Sequence, residues 1–190
     1  ARELAVNSQT VTNSWVNQHI TYTHGYGVVA AYGNKVSQTG DPQFMLENIP
    51  SEGVLGDDST YEPRIYFGKS SPKYSIVGGP EDWEPRELDR PAGSDGQGER
   101  RNTFSGDGGP NVGSFLNKLS YAIKFGSMDI MLSGDVNSES QILYDRHPQE
   151  RVKKVAPFLT VDTSAYPAII DGRVKWIVDA YTTTNNYPYS

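Results

Sequence analysis

Cysteine is absent from this sequence of 190 residues. Its absence excludes thiol nucleophiles, thiolate metal ligands and disulfide bonds, but leaves the compartment open, because cytosolic and secreted chains alike can lack cysteine. No apolar run reaches the roughly 18 residues that a membrane-spanning helix requires. The sequence therefore predicts no membrane span within these residues.

Basic residues are in the minority. The 17 Lys and Arg against 23 Asp and Glu give a net charge of −6, and nothing resembles a basic stripe. We therefore expect no nucleic acid among the partners. The hydrophobic fraction is low, at 36%, and 19 Gly with 12 Pro indicate many loops around a modest core. The length fits a single domain spanning residues 1–190.

Catalytic and cofactor signatures are missing too. The sequence has no G-x-S-x-G, H-E-x-x-H, Walker A or dinucleotide-binding pattern. The Asp-rich segment Asp57–Glu62 lacks the spacing and the glycine of an EF-hand loop. We accordingly predict no cofactor and no metal.

The stretch Trp15–Asn34 combines two of the three histidines with several aromatic residues. Alternation of β-branched and polar residues predicts a strand over Val16–Thr23, interrupted by a glycine-flanked corner at His24. An extended apolar segment, Val28–Tyr32, follows. His19 and His24 are five residues apart, a spacing that suits neither one strand face nor a helical metal pair.

The middle of the chain divides into extended segments and a long loop. Pro63–Phe67 and Tyr74–Val77 are predicted to form a hairpin. Pro80–Pro110 contains ten Gly or Pro residues and only three large apolar ones, Trp83, Leu88 and Phe104. We predict an irregular, flexible loop there, most mobile at Ala92–Arg101.

A helical group is predicted over residues 111–156. An apolar stripe with helical spacing marks the first helix, which Asn111 would cap and Gly126 would end. Its members are Val112, Phe115, Leu116, Leu119 and Ile123. A capping-box pattern at Ser138–Gln141 predicts a second helix, and Pro148 the first turn of a third, with Val152 and Val155 facing inward.

The C-terminal part contains a hairpin signal. Asp171-Gly172 between two extended runs predicts a two-residue type I′ turn, which would place Ile169 opposite Val174. The face shared by Ile169, Val174, Trp176 and Val178 is predicted to be buried. The predicted fold class is α+β: a mostly antiparallel sheet, the helical group packed on one face, and the loop at 80–110.

Several motifs together carry a family resemblance. They are Trp15-Val16-Asn17, YTHGYGVVAAYGN (Tyr22–Asn34), YEPRIYFG (Tyr61–Gly68), YSIVG (Tyr74–Gly78), ILYDR (Ile142–Arg146), RVKKVAPFLTVD (Arg151–Asp162) and DGRVKWIVDAYTT (Asp171–Thr183). With these the chain resembles uncharacterised protein family 0182, large bacterial membrane proteins. The resemblance implies a fragment from the extracytoplasmic side of the cell membrane, whose first partner is its own transmembrane region.

His24 is the strongest candidate for catalysis. Beside glycines it could serve as a general base or metal ligand; alternatively, its ring satisfies a hydrogen bond at a strand corner, which we favour. Asp162 and Asp179 are the candidate carboxylates that would act with it in a hydrolase. Asp162 also fits an Asx turn.

Twelve tyrosines indicate a second kind of candidate, a binding surface. Tyrosine faces beside charged residues can bind glycans or proteins, although tyrosines also pack the half-exposed faces of small β-rich domains. Tyr22, Tyr26, Tyr66 and Arg64 are the candidate binding residues. We predict a non-catalytic extracytoplasmic module for binding an envelope ligand or protein, or for assembly; the alternative is an envelope hydrolase or transferase that uses His24.

Overall fold

A computed structural model describes residues 2–3, 14–90 and 98–186 of the chain. These residues form two compact units, one built from 27–70 and 146–186 with the short strand at 2–3, the other from 14–26, 71–90 and 98–145. Strands pair antiparallel in small sheets and helices are few, so the α+β class is confirmed. Within the described ranges, no helix is both long and apolar enough to cross a bilayer.

The first unit contains a three-stranded sheet and a long hairpin. The sheet has the order β1 (Arg2–Glu3), β3 (Val28–Val36), β4 (Pro42–Leu46), and the hairpin joins β10 (Thr160–Ile170) to β11 (Arg173–Tyr181). A short strand, β5 (Arg64–Ile65), and helix α3 (Pro148–Val155) complete it. Their buried core consists of Val28, Ala30, Leu46, Tyr61 and Ile65, with Met45, Ile169, Val174 and Trp176 packed against it.

The hairpin confirms the predicted turn. Ile170 pairs with Arg173 and Ile169 with Val174, and positive φ angles of 53° at Asp171 and 69° at Gly172 match a type I′ turn. Trp176 is half-buried, and its Nε1 donates a hydrogen bond to the Phe67 carbonyl at 2.7 Å. Pro148 begins α3 as predicted, but Val155 is 85% exposed, so its predicted inward position is wrong.

The second unit combines two strand pairs with short helices. β6 (Tyr74–Val77) pairs with β9 (Gln141–Tyr144), and β7 (Glu87–Arg90) with β8 (Arg100–Asn102). A short π-helix (Asn17–Thr21), strand β2 (Gly25–Tyr26) and helices α1 (Phe115–Phe125) and α2 (Asp129–Leu132) make up the rest. Its buried core is Ile20, Tyr74, Ile76, Val112, Ala122, Ile130, Val136 and Ile142.

The predicted strand over Val16–Thr23 is wrong, because residues 16–21 are helical. A helical turn places Trp15 and His19 on one side, where both engage Tyr74. Trp15 Nε1 donates to the Tyr74 hydroxyl at 2.8 Å, and the His19 ring stacks on the Tyr74 ring with centroids 3.9 Å apart. Burial of Ile20 in the core adds to these contacts, and tertiary packing overrides the β propensity of the segment.

Three further predictions are corrected in this unit. Tyr74–Val77 pairs with β9 and not with Pro63–Phe67, and the predicted helix after Ser138 is strand β9. Ile142 and Leu143 are both fully buried, and a short run buried on both sides cannot be told from a helix by periodicity. Strand β9 therefore interrupts the predicted helical group at 111–156.

The predicted irregular loop at 80–110 contains strands β7 and β8, with Leu88 buried. The prediction of irregular structure is therefore wrong for residues 87–90 and 100–102. The predicted centre of mobility, Ala92–Arg101, lies largely outside the described residues. Helix α1 begins later than predicted, with Ser114 as its N-cap, and ends at Gly126 as expected. Asn111 cannot cap it, because its side chain bonds the Ser138 carbonyl and the Gly113 N–H.

Candidate functional site

A buried cluster of charged side chains surrounds His24 in the second unit. Thr23 and His24 directly precede β2, while Glu87 and Asp89 come from β7. Residues two apart on a strand point to the same side, so both carboxylates reach the histidine while Leu88 between them points away. The side chains of His24 and Asp89 have no solvent exposure, and that of Glu87 has 4%.

Hydrogen-bond directions assign two protons to the His24 ring. The Thr23 hydroxyl donates to Glu87 Oε2 at 2.9 Å, so it accepts from His24 Nδ1, which is also 2.9 Å away. His24 Nε2 lies 3.0 Å from Asp89 Oδ1, and a carboxylate only accepts. When Glu87 and Asp89 are ionised, both ring nitrogens act as donors, and the ring is then an imidazolium.

The electrostatics agree with this assignment. Burial by itself lowers the pKa of His24, but the hydrogen bonds and charges of Asp89 and Glu87 outweigh it and raise the pKa above the ordinary 6.5. Arg100 Nε on β8 lies 3.4 Å from the second Asp89 oxygen. The buried Asp89 carboxylate therefore faces two cationic side chains, the buried His24 ring and the half-exposed Arg100.

Glu87 also ties the cluster to the backbone. Its Oε1 accepts hydrogen bonds from the N–H groups of Phe104 at 2.8 Å and Gly78 at 3.4 Å. A cavity of about 20 Å³, room for roughly one water, is lined partly by Glu87 but by neither His24 nor Asp89. In the described part of the chain, no three His, Asp or Glu side chains are grouped so as to hold a metal ion.

The carboxylates predicted to act with His24 belong to the first unit. Asp162 Oδ1 accepts from the Ser164 N–H at 2.6 Å, the predicted Asx turn. It lines an open cleft of about 450 Å³ together with Lys69, His147 and Lys153. Asp179 lies exposed on β11. Neither is among the His24 partners described above, and their catalytic roles stay predictions.

The candidate binding residues differ in exposure. Tyr26 is only 1% exposed, so its ring has no free face for a ligand. Tyr22 and Tyr66 are half-buried. Arg64 pairs with Glu62 at 3.1 Å. A binding role for these residues remains a prediction.

Sequence reasoning missed Glu87, Asp89 and Arg100 because they lie within the segment predicted to be a disordered loop. A flexible loop gives no reason to expect buried carboxylates. One signal was present: in Glu87-Leu88-Asp89-Arg90 an apolar residue alternates with two acids, as in a strand with one polar face. The partner histidine is more than 60 residues away in sequence, so local pattern could not connect them.

Comparison with known proteins identifies the family of this chain. The model of the uncharacterised protein family UPF0182 matches residues 1–190. The chain belongs to this family.

Similar UPF0182 proteins occur in several bacteria. A protein of Arthrobacter sp. (strain FB24) is 65% identical over 98% of this chain, one of Micrococcus luteus is 58% identical over 100%, and one of Bifidobacterium adolescentis is 58% identical over 100%. This UPF0182 chain spans only 18%, 18% and 17% of those proteins. No solved structure matches it.

Proposed function

We propose that this region of the UPF0182 protein is a non-catalytic module for binding or assembly on the extracytoplasmic side of a bacterial membrane protein. The complete burial of the His24–Asp89 pair carries the proposal. A general base must come within hydrogen-bond reach of a substrate, and both ring nitrogens of His24 are already engaged by Thr23 and Asp89.

The charge state of His24 supports the same proposal. A histidine that acts as a base needs a free lone pair at working pH, with a pKa near that pH. The neighbouring carboxylates raise the pKa of His24 and favour the protonated ring. An imidazolium between two carboxylates is better suited to joining β7 to the segment before β2 than to removing a proton.

Catalysis can be tested directly. Chromogenic ester, phosphoester and glycoside substrates are offered to the wild-type protein and to His24→Gln, with metal content measured in both. We expect no turnover that depends on His24 and no stoichiometric metal. Turnover or bound metal that disappears in a His24→Gln protein that remains folded would instead favour the envelope hydrolase or transferase.

The location is tested separately in the full-length protein. Because this region lacks cysteine, a single cysteine at the exposed Thr183 provides a label site, with the parent protein as the control. A membrane-impermeant maleimide should label Thr183→Cys in intact cells. Labelling that appears only after the membrane is broken would refute an extracytoplasmic location.

A further inference from the structure

Helix α1 carries apolar residues on two sides. Ala122 is buried in the core of the second unit, and Tyr121 and Phe125 pack against it. The four members of the predicted apolar stripe that lie on α1 face solvent. The exposed fractions of these side chains are 67% for Phe115, 71% for Leu116, 36% for Leu119 and 74% for Ile123.

These four side chains form one continuous strip. At about 100° per residue, they fall within an arc of roughly 100°, beside the side that packs on the core. The two lysines of the helix, Lys118 and Lys124, fall outside that arc. No charge therefore interrupts the strip along the length of α1.

Helix α2 carries two more exposed apolar residues at its ends. It contacts α1, and its terminal residue Leu132 is 78% exposed, while Met128, which precedes it, is 61% exposed. Ile130 and Met131 supply its contacts with the core. We call the six exposed residues, Phe115, Leu116, Leu119, Ile123, Met128 and Leu132, the α1–α2 apolar face.

An apolar face of this kind calls for a covering partner. Scattered exposed apolar residues are normal, but a contiguous set usually marks an interface. Removal of apolar side chains from water is the dominant favourable contribution to most protein association. Binding of another protein segment to this face would therefore be favourable. Because the strip carries no charge, the segment that binds it should be apolar.

We propose that the α1–α2 apolar face is covered by a segment of the same polypeptide outside these 190 residues. This inference rests on the proposed assembly function, and the segment would be the binding partner of the module. In the relatives this region is about 18% of the protein, so roughly four fifths of the chain is available as cover. A tethered segment acts at an effective concentration that can reach the millimolar range, which favours it over a second copy or a separate protein.

Site-specific photo-crosslinking in the full-length protein tests this. Benzoylphenylalanine replaces Ile123 in one sample and, as the control, the exposed Glu139 of the same unit in another. After irradiation in cells, the crosslinked peptides are identified by mass spectrometry. We expect the Ile123 probe to join a peptide of the same chain from outside residues 1–190, and the Glu139 probe not to do so.

Other products contradict the inference. A crosslink to a second copy, to a different protein, to lipid or to a peptide within the 190 residues would overturn it, as would equal yields from the two probes. A crosslink to a second copy or to another protein would still be consistent with the proposed assembly function. A His24-dependent activity, by contrast, would defeat the proposed function without changing the crosslink.

A second variant checks that the product depends on the face. Ile123→Glu places a charge on the strip at an exposed position, so it should leave the second unit folded. With the probe moved to Leu116, the crosslink to the outside segment should be lost in Ile123→Glu and retained in Ser120→Glu, a solvent-facing control on the same helix. Equal yields in both variants would contradict the proposed docking.

Discussion

His24 Nε2 lies 3.0 Å from Asp89 Oδ1, and neither side chain has any exposure to solvent. The contact joins residues 65 positions apart. The other ring nitrogen, Nδ1, is hydrogen-bonded to the Thr23 hydroxyl, which in turn donates to Glu87. The His24 ring is therefore linked to two carboxylates of β7. Removal of either member takes a charge-assisted contact away from a side chain that stays buried, which costs more than the loss of an exposed contact.

The histidine makes stability depend on pH. Its folded-state pKa is raised above 6.5, so its contribution is complete below that pH and is lost as pH rises through the folded-state pKa. We expect the free energy of unfolding to fall over this range, by at most about 1.4 kcal/mol per pH unit for one proton. Denaturant unfolding from about pH 6 to pH 9 measures it.

Asp89→Asn is the matched variant for that experiment. It keeps the shape of the side chain and removes one of the charges that raise the pKa of His24. The fall in stability with rising pH should become shallower or move to lower pH. Identical pH profiles for the wild type and Asp89→Asn would show that this pair does not control the titration.

Trp176 anchors the C-terminal hairpin through its ring and its N–H. Trp176→Ala should lower the free energy of unfolding by about 2–4 kcal/mol, somewhat less than for a fully buried tryptophan. Trp176→Phe keeps much of the packing and leaves the Phe67 carbonyl without this donor, so it should cost about 1 kcal/mol. Equal losses for the two variants, measured by denaturant unfolding, would refute the contribution of packing.

The sequence predicted the hairpin well and the second unit poorly, for physical reasons. Asp171-Gly172 is a local signal, since a type I′ turn needs positive φ at both positions. The helical conformation of residues 16–21 is supported by Tyr74, more than 50 residues away, and no local pattern contains that information. The apolar stripe of α1 is visible in the sequence, but its exposure is not, because periodicity identifies an apolar face and not what covers it.

The turn itself can be tested at Gly172. Its φ of +69° disfavours any side chain, so Gly172→Ala should cost about 1 kcal/mol of stability. Gly33→Ala on β3 is the control, because an added Cβ there meets no atom within 4 Å and the backbone is not left-handed. Thermal unfolding of the two variants should separate them, and a Gly172→Ala protein as stable as Gly33→Ala would contradict the turn.

Two serines of the α1 region provide another matched pair. The Ser114 hydroxyl accepts from the Asn117 N–H at the start of the helix, so Ser114→Ala should cost about 1 kcal/mol. Ser120 bonds the Leu116 carbonyl in mid-helix, where alanine is the better helix former. Ser120→Ala should be neutral or slightly stabilising. The reverse order of stability would place the helix start elsewhere.

The central claim, that His24 holds the fold together, is tested most directly by thermal unfolding of His24→Ala with metal analysis of the wild type. We predict no stoichiometric metal and a loss of about 3–5 kcal/mol, because Asp89 and Glu87 stay buried after the histidine that contacts both of them is removed. His147→Ala is the control: that ring is exposed and makes no capping hydrogen bond, so stability should change by less than about 0.5 kcal/mol. A His24→Ala protein that melts like the wild type but loses a bound metal or an activity would contradict the claim.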